Sequence, residues 1–596
     1  MAGASIEPDP VTWSGYPIRS MVLMDVPEFE QAVACHRAGD LGRAKQLYQR
    51  CLKLAPKHLE ARRHLALLFL QSDQPAAALK ELNRALRIRK DWTPALMEKG
   101  RALAMVGRFT DAAAAFTRVT EISPRETEAF CFLGRARIEM GRYQEAENSL
   151  KQALAIDPAH VESLTVLATL HGKGGRHESA EAGWRKALSV AGESAALLSN
   201  LGISVKLQGR LDEAIDLYTR ASELSDRDPE TINNLGAALK AAGRLDEAAD
   251  AFRHACALMG DFAKAHHNLG DVLLARGRFA EGWAELKWDV NEEQDEVRSR
   301  SSSRPEWSGG PAGDGKIWLW RQHGVGDEIL FAGLIPEIVD GEAGGGNDCL
   351  LECDPRLAPL FERSFPNVEI APYAARPDRR LSRPDIAAQC RLPRLGGILR
   401  PSFDHFGGAA AYLKADPARV ATLKQRYRTL GSGPVIGLSW FSKAGYNSEL
   451  KSTSLMDWDS VLGLPGAVFV NLQYGECAAE IAAAEAKFNV RIYQDPDIDP
   501  LDDLDGFAAQ VAAMDAVLST SNTTVHMAGA LGTPVWCVLP PAGQSIWYWF
   551  LERGDSPWYG SLRLVRQSPG EPWRETIGRA ARMVRLSDGM AWPGAQ

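Results

Sequence analysis

Across residues 25–296 the order of apolar, small and polar positions returns every 34 residues. The dipeptide Gly-Arg recurs at Gly107, Gly141, Gly175, Gly209, Gly243 and Gly277. Five residues beyond the first five of these glycines stand Ala112, Ala146, Ala180, Ala214 and Ala248, and Ala44 and Ala78 continue that column backwards in phase. A second column runs through Ala85, Ala153, Ala187, Ala221 and Ala255, while Pro56, Pro124 and Pro158 share another phase. A period of this length predicts a helix-turn-helix unit stacked on copies of itself. Glycine supplies the turn, the alanines let the helices cross closely, and proline stops the second helix. Eight units fit, from 25–58 to 263–296, the last with Gly282 in the alanine column; residues 1–24 precede them as an extension.

After Asn291 this pattern lapses. Ser299-Arg300-Ser301-Ser302-Ser303 and a following Gly/Pro cluster read as a linker, assigned to 297–314. Beyond it, short apolar strands (316–320, 349–353, 434–440, 467–472, 516–519, 534–539) alternate with helical segments (328–338, 356–364, 416–430, 477–487, 506–513, 523–531). Such alternation predicts parallel, doubly wound sheets. The length fits two lobes, 315–430 and 432–596, with a last helix near 572–586 returning across the first lobe.

The repeats resemble the tetratricopeptide-repeat (TPR) family. Within them Asn200, Asn234 and Asn268 each open the tripeptide Asn-Leu-Gly, again 34 residues apart. Equal phase predicts one shared face, and an amide side chain both donates to and accepts from a peptide backbone. The O-GlcNAc transferase superhelix is similar here: an asparagine ladder lines its concave surface and grips extended acceptor protein. Further back the phase holds Val166, Phe132 and Glu98, so a ladder would span only the last repeats. The alternative is a structural habit of the repeat.

Composition narrows the classes. A net charge of −8 argues against nonspecific nucleic-acid binding, which needs a basic face. Nine dispersed cysteines without a CxxC pair read as reduced thiols of a cytoplasmic protein. No basic start with an apolar stretch marks a secretory signal, and no apolar run is long enough to span a membrane.

Two strand-to-helix turns carry the candidate chemistry. The first is Gly324-Val325-Gly326-Asp327-Glu328. Glycines after a first strand let backbone approach a ligand, and the following helix offers free N–H groups. Asp327 suits a catalytic rim or a helix N-cap equally. The second is Ser519-Thr520-Ser521-Asn522-Thr523-Thr524-Val525-His526, a set of hydroxyls and N–H groups fit for a phosphate. His526 reads either as a phosphate or sugar ligand, cationic against a leaving group, or as a satisfied core histidine. The acidic run Asp495, Asp497, Asp499, Asp502, Asp503 and Asp505 precedes a helix, where carboxylates favour the dipole, and is not read as a metal site. Trp547, Tyr548, Trp549, Trp558 and Tyr559 could stack on a sugar, though aromatic clusters are more often core.

Residues 305–570 resemble the C-terminal region of TPR-linked proteins related to the heptosyltransferase-like branch of GT-B glycosyltransferases. The matching stretches are Trp307-Ser308-Gly309, Gln322-His323-Gly324-Val325-Gly326-Asp327, Gly437-Leu438-Ser439-Trp440 with Lys443 and Lys451-Ser452, Phe469-Val470-Asn471-Leu472-Gln473-Tyr474-Gly475, the run from His526 to Gly532, and Asp555-Ser556-Pro557-Trp558-Tyr559 with Arg566-Gln567. The resemblance implies a GT-B fold, no metal or other cofactor, and Asp327 as catalytic base. It implies a nucleotide-sugar donor held by Gly324, Gly326, Ser439, Lys443, Lys451, Gln473, Ser521, Asn522, Thr523, Thr524 and His526, with Asn200, Asn234 and Asn268 on the acceptor. Two departures stand out: Ser521 replaces a common aspartate and His323 a glutamine. The pattern is more similar to alphaproteobacterial relatives that glycosylate flagellin with nonulosonic acids such as pseudaminic acid. The expected activity is therefore O-glycosylation of Ser/Thr on a protein acceptor, with flagellin the first candidate and a CMP-linked nonulosonic acid the first candidate donor. The alternatives are a TPR adaptor with a non-catalytic GT-B domain, or an enzyme acting on lipid or polysaccharide sugars.

Overall fold

The computed structural model describes residues 26–288, 304–322, 324–340, 346–407, 410–443 and 448–587. The N-terminal extension, the Ser299–Ser303 stretch of the expected linker and His323 lie outside the described residues. The chain divides into two compact units, 1–225 and 226–596.

In the first unit helices run in pairs, from Pro27–Arg37 and Leu41–Leu54 to Ala195–Lys206 and Leu211–Leu224. Gly107, Gly141, Gly175 and Gly209 turn the chain with φ of 72–80°, and Asp73 takes the same phase with φ 52°. Left-handed backbone is readily adopted by glycine and tolerated by aspartate, which explains both choices. Ala44, Ala78, Ala112, Ala146, Ala180 and Ala214 are fully buried, so the first alanine column is the crossing point of each pair. The glycines of Asn-Leu-Gly have their own reason: a β-carbon at Gly202 would crowd the Tyr218 ring, and one at Gly236 in the second unit the Phe252 ring. Packing therefore accounts for the glycine of the tripeptide but not for its asparagine.

The second unit begins with repeat helices Pro229–Ala241, Leu245–Leu258, Ala263–Ala275 and the shorter Phe279–Glu285. Two parallel sheets follow. The first orders β3 (Val368–Pro372), β2 (Cys349–Cys353), β1 (Lys316–Trp320) and β4 (Ile386–Arg391). The second orders β10 (Leu562–Arg566), β9 (Val535–Leu539), β8 (Ala516–Thr520), β5 (Val435–Ser439), β6 (Val468–Asn471) and β7 (Ile492–Tyr493). Every named strand pair is parallel. The central strands β1, β2, β5, β8 and β9 are buried throughout or nearly so, as expected for sheets covered on both faces. The strand order reverses between β1 and β4 and between β5 and β8, and the carboxyl ends beside such reversals are where ligands bind in this architecture.

Two expectations change. The helix expected over 328–338 is two, Val325–Ala332 and Ile335–Val339, with Pro336 entering the second as its missing N–H requires. The last helix, Trp573–Arg585, does not return across the first lobe. It lies on the second sheet, with Ile577, Ala580, Ala581 and Val584 sharing a core with β5, β8 and β9. The acidic run precedes helix Leu504–Ala512 as expected, and Asp503 caps it by accepting from the Gly506 N–H at 2.8 Å; Asp495 and Asp497 also pair with Arg426, Asp503 with Arg419, and Asp505 with Arg363 and Arg419.

Within this unit the final repeat docks on both lobes. The Trp283 ring lies over Gly396, where any β-carbon would overlap it, and its Nε1 donates to the Arg400 carbonyl at 3.0 Å. On the other side Trp283 meets Trp547 edge-on, and the Leu551 N–H donates to the Ala275 carbonyl at 3.1 Å. Gly543 sits against the Lys240 carbonyl, a contact that excludes a side chain.

Candidate functional site

The two strand-to-helix turns meet across the lobes. Helix Val325–Ala332 packs on helix Thr523–Leu531, with Gly326 against His526: a β-carbon there would stand 3.0 Å from His526 Cδ2. Gly326 thus makes room for the His526 ring at the lobe interface. Asp327 does not cap the helix. Gly324 holds the N-cap position and Asp327 lies inside the first turn, half-buried. Its neighbour Glu328 is fully buried, accepts from Arg321 Nε at 2.7 Å and from the Asp354 N–H at 2.8 Å, and is pushed up to about 7, chiefly by burial. Glu328 therefore ties the end of β1 to the loop after β2 and orients the turn that presents Asp327. Only the three-dimensional partners of Glu328 reveal this role.

On the second lobe the expected donor residues separate into two groups. Ser439, Gln473, Asn522 and Thr524 are buried and bonded to one another. Asn522 Oδ1 accepts from the Thr524 N–H at 3.0 Å, capping the helix, while its Nδ2 donates to Ser439 Oγ at 2.8 Å. Gln473 Oε1 accepts from Ser439 Oγ and from the N–H groups of Trp440 and Phe441. These residues stitch the ends of β5, β6 and β8 together beneath the site. Ser521 joins them: it is 3% exposed and its Oγ accepts from Trp549 Nε1 at 2.8 Å, so it stands under an indole rather than open at the rim. Thr523, half-exposed at the first turn of the helix, and Lys451 form the second group. Burial depresses the Lys451 ammonium, and the Asp327 carboxylate acts against that by raising it, so the two charges share one field. Lys443 lies apart, exposed, with its ammonium 5.8 Å from the Phe441 ring centre and close to Gly475. Gly324 is exposed with open space around its α-carbon.

His526 is not a cation here. Its ring stacks on Trp549 (centroids 5.2 Å), its Nδ1 is 3.0 Å from Tyr559 Oη and its Nε2 3.3 Å from Tyr548 Oη. Burial pushes its pKa down to about 3, and the Lys451 charge adds to that. The aromatic cluster is core in Tyr548, Trp549, Trp558 and Tyr559, which are buried, while Trp547 is half-buried; Tyr548, Trp549 and Tyr559 hold this histidine.

Asn234 and Asn268 are half-exposed on repeat helices of the second unit, and Asn268 Nδ2 donates to Asn233 Oδ1 at 2.9 Å. One turn beyond Asn268, Asp271 pairs with Lys240 at 2.9 Å and adds to the charge felt by Tyr548. Asn200, in the first unit, is half-exposed on helix Ala195–Lys206.

These features define a tetratricopeptide array carrying a two-lobed, parallel α/β region. Tetratricopeptide-repeat models match residues 36–97, 97–161, 137–201, 193–260 and 255–284. Protein FlbA of Caulobacter vibrioides is 39% identical over 292 residues, 47% of this chain and 48% of that protein, so the chain spans about half the length of this curated relative. Among solved structures, similarity extends to the Cut9–Hcn1 assembly of APC/C (16% identity, 41% of this chain, 48% of that one, TM-score 0.35). It extends also to PilF of Pseudomonas aeruginosa (18%, 34%, 91%, TM-score 0.31). Among the described residues no helix is long and apolar enough to cross a membrane.

Proposed function

We propose that this chain is a metal-independent glycosyltransferase that moves a nucleotide-activated sugar onto Ser/Thr hydroxyls of a protein acceptor. The observation that carries the reading is the meeting of the two turns: Gly326 against His526, with Asp327 and Lys451 in a shared field at the carboxyl ends of two parallel sheets. In the reaction the acceptor oxygen attacks the anomeric carbon, its proton passes to Asp327, and the sugar–phosphate C–O bond breaks with its electron pair leaving on phosphate. Lys451 and Thr523 receive that charge, Lys443 supplies a second cation at the margin, and the Ser439, Gln473, Ser521, Asn522 and Thr524 network holds the turn in place. Repeat solenoids offer extended surfaces to protein partners, which supports capture of the acceptor by the array through Asn200, Asn234 and Asn268. Flagellin as acceptor and a CMP-linked nonulosonic acid as donor follow the family resemblance. The buried state of Ser521 shifts the donor's recognition toward Lys451 and Thr523.

The test is the intact mass of acceptor incubated with the full chain and a panel of CMP-, UDP-, ADP- and GDP-sugars. A mass increment of one sugar, abolished by Asp327→Asn with nucleotide binding retained, is expected. No increment with any donor favours the rival, an adaptor, which draws on the internal bonding of Ser439, Gln473 and Asn522. Near-normal turnover by the Asp327→Asn protein removes the base assignment.

A further inference from the structure

Among the described residues four that are not glycine take a positive φ: Asp73, Asn489, Phe550 and Glu552. Aspartate and asparagine tolerate left-handed backbone, but a phenylalanine there is strained. Phe550 combines φ 42° with ψ 168°, a region that glycine enters freely and a β-carbon resists. It is 2% exposed and closes the short helical turn Trp547–Trp549. Strain of this kind persists only where neighbours over-determine the backbone. Here they do so from two sides. Within the lobe, Arg566 at the end of β10 donates through Nη2 to the Phe550 carbonyl at 2.6 Å and to the Trp549 carbonyl at 3.3 Å, and through Nη1 to Ser545 Oγ. From the last repeat, the Phe279 ring lies 5.7 Å from that of Phe550, and the Ala275 carbonyl accepts from the next N–H, that of Leu551, at 3.1 Å. Phe403 and Phe406 of the first lobe complete the seat, 4.9 and 5.9 Å from the same ring.

The same few residues reach the candidate site. Trp549 Nε1 donates to Ser521 Oγ at 2.8 Å and its ring stacks on His526, while Tyr548 Oη stands 3.3 Å from His526 Nε2. Ser521 and His526 flank the first turn of helix Thr523–Leu531, the turn that offers Thr523. Rotation about the N–Cα bond of Phe550 swings everything before it against everything after it. Because Leu551 is tied to the repeat, a return of Phe550 to negative φ would move the 547–549 turn as a whole and draw the indole off Ser521.

We propose that residues 545–551 are a strained latch through which the last repeat positions the donor turn. Docking of Phe279 and Ala275 holds Phe550 at positive φ, and that backbone holds Trp549 and Tyr548 against Ser521 and His526. Phe279, Phe550 and Arg566 are positioning residues and act on the donor only through this turn. The array is then part of the construction of the donor site as well as a surface for protein. Whatever shifts the last repeat, acceptor binding included, acts on the turn by the same route, and by linkage the donor acts back on the repeat. The link to sugar transfer rests on the glycosyltransferase reading, and the test separates the two.

Amide hydrogen exchange of the full chain, read by mass spectrometry over 519–527 and 545–552, tests the latch with no ligand present. Phe550→Ala and Phe550→Gly both remove the ring, but only alanine keeps the β-carbon that strains the backbone. Phe550→Ala should raise exchange in both segments, and exchange in 519–527 should be roughly tenfold slower in Phe550→Gly than in Phe550→Ala. An alanine variant that fails to fold beside a glycine variant that folds gives the same answer. Phe279→Ala, changed in the repeat alone, should raise exchange in both segments while helix Trp573–Arg585 of the second lobe keeps its protection. Equal exchange in the alanine and glycine variants makes Phe550 a packing residue and overturns the latch. Wild-type exchange over 519–527 in Phe279→Ala overturns the coupling. In the mass assay Phe279→Ala should raise KM for the transferred nucleotide sugar about threefold or more with KM for the acceptor unmoved, and the reverse pattern also overturns the coupling. A wild type that transfers no sugar removes the glycosyltransferase reading alone, because the exchange result stands without it.

Discussion

A neutral, buried His526 makes the α/β region acid-sensitive by a calculable amount. The unfolded chain protonates this histidine near pH 6.5, whereas in the fold its pKa is down to about 3, because burial disfavours the imidazolium and Lys451 repels it. Between those values the unfolded state binds the extra proton, so stability is fully present above pH 6.5 and is lost as pH falls toward 3. At pH 5 the loss is about 2 kcal/mol, from a deficit of roughly one and a half pH units at 1.36 kcal/mol each. His526→Gln removes the titration and leaves a packing cost that does not vary with pH. Urea unfolding of both proteins followed by tryptophan fluorescence at pH 7.5 and pH 5 measures the difference. Eleven of the 16 tryptophans lie after residue 296, so the signal reports mainly on the α/β region. His36, His58 and His64, each also depressed by burial, are common to both proteins and cancel. The wild type should lose about 2 kcal/mol more than the variant on going to pH 5. A difference that stays constant between the two pH values refutes the buried neutral histidine.

Three other outcomes follow from the same geometry. Glu328 is raised from 4.5 to about 7, so the fold binds its proton more tightly than the unfolded chain; this contribution is fully present below pH 4.5 and is lost as pH rises through 7, by up to about 3 kcal/mol, and Glu328→Gln should abolish that slope in urea titrations at pH 5 and pH 8. Trp283→Ala empties the seat over Gly396 and should cost about 3–5 kcal/mol locally, seen as faster amide exchange in helix Arg394–Leu399; unchanged protection there would mean that the last repeat does not brace the first lobe. Changing Asn200, Asn234 and Asn268 together to alanine should weaken acceptor binding by about tenfold or more with melting temperature nearly unchanged, and equal affinity by calorimetry would reduce these residues to a habit of the repeat.

The repeat array was legible because its constraints are local and repeated. A left-handed turn selects glycine at Gly107, and a helix crossing selects Ala112, and both recur at one period. The central strands β1, β2, β5, β8 and β9 were legible because burial on both faces makes them continuous apolar runs. The edge strands were not. Val368–Pro372 carries Glu369 and ends in proline, Ile386–Arg391 is small and polar, and both are strands because β2 and β1 offer parallel partners. No window along the chain contains that information.

The same distinction separates the parts of the candidate site. A motif records which residue types recur, and here it recorded two requirements without distinguishing them: residues that face the cleft and residues that hold the cleft's walls. Asn522 and Gln473 belong to the walls, since their amides are consumed by Ser439, Thr524 and the backbone after β5. Thr523 and Lys451 face outward enough to meet a ligand. Gly326 reads as a phosphate-loop glycine in the sequence, yet its space is filled by His526 from the opposite lobe. A glycine emptied for a ligand and a glycine filled by a histidine look identical in one dimension. They differ in what alanine does: at a ligand-facing position the added methyl blocks binding alone, whereas the methyl of Gly326→Ala would stand 3.0 Å from His526 Cδ2 and press on the lobe interface. Loss of nucleotide binding with unchanged amide-exchange protection in helices Val325–Ala332 and Thr523–Leu531 would therefore return Gly326 to the phosphate loop.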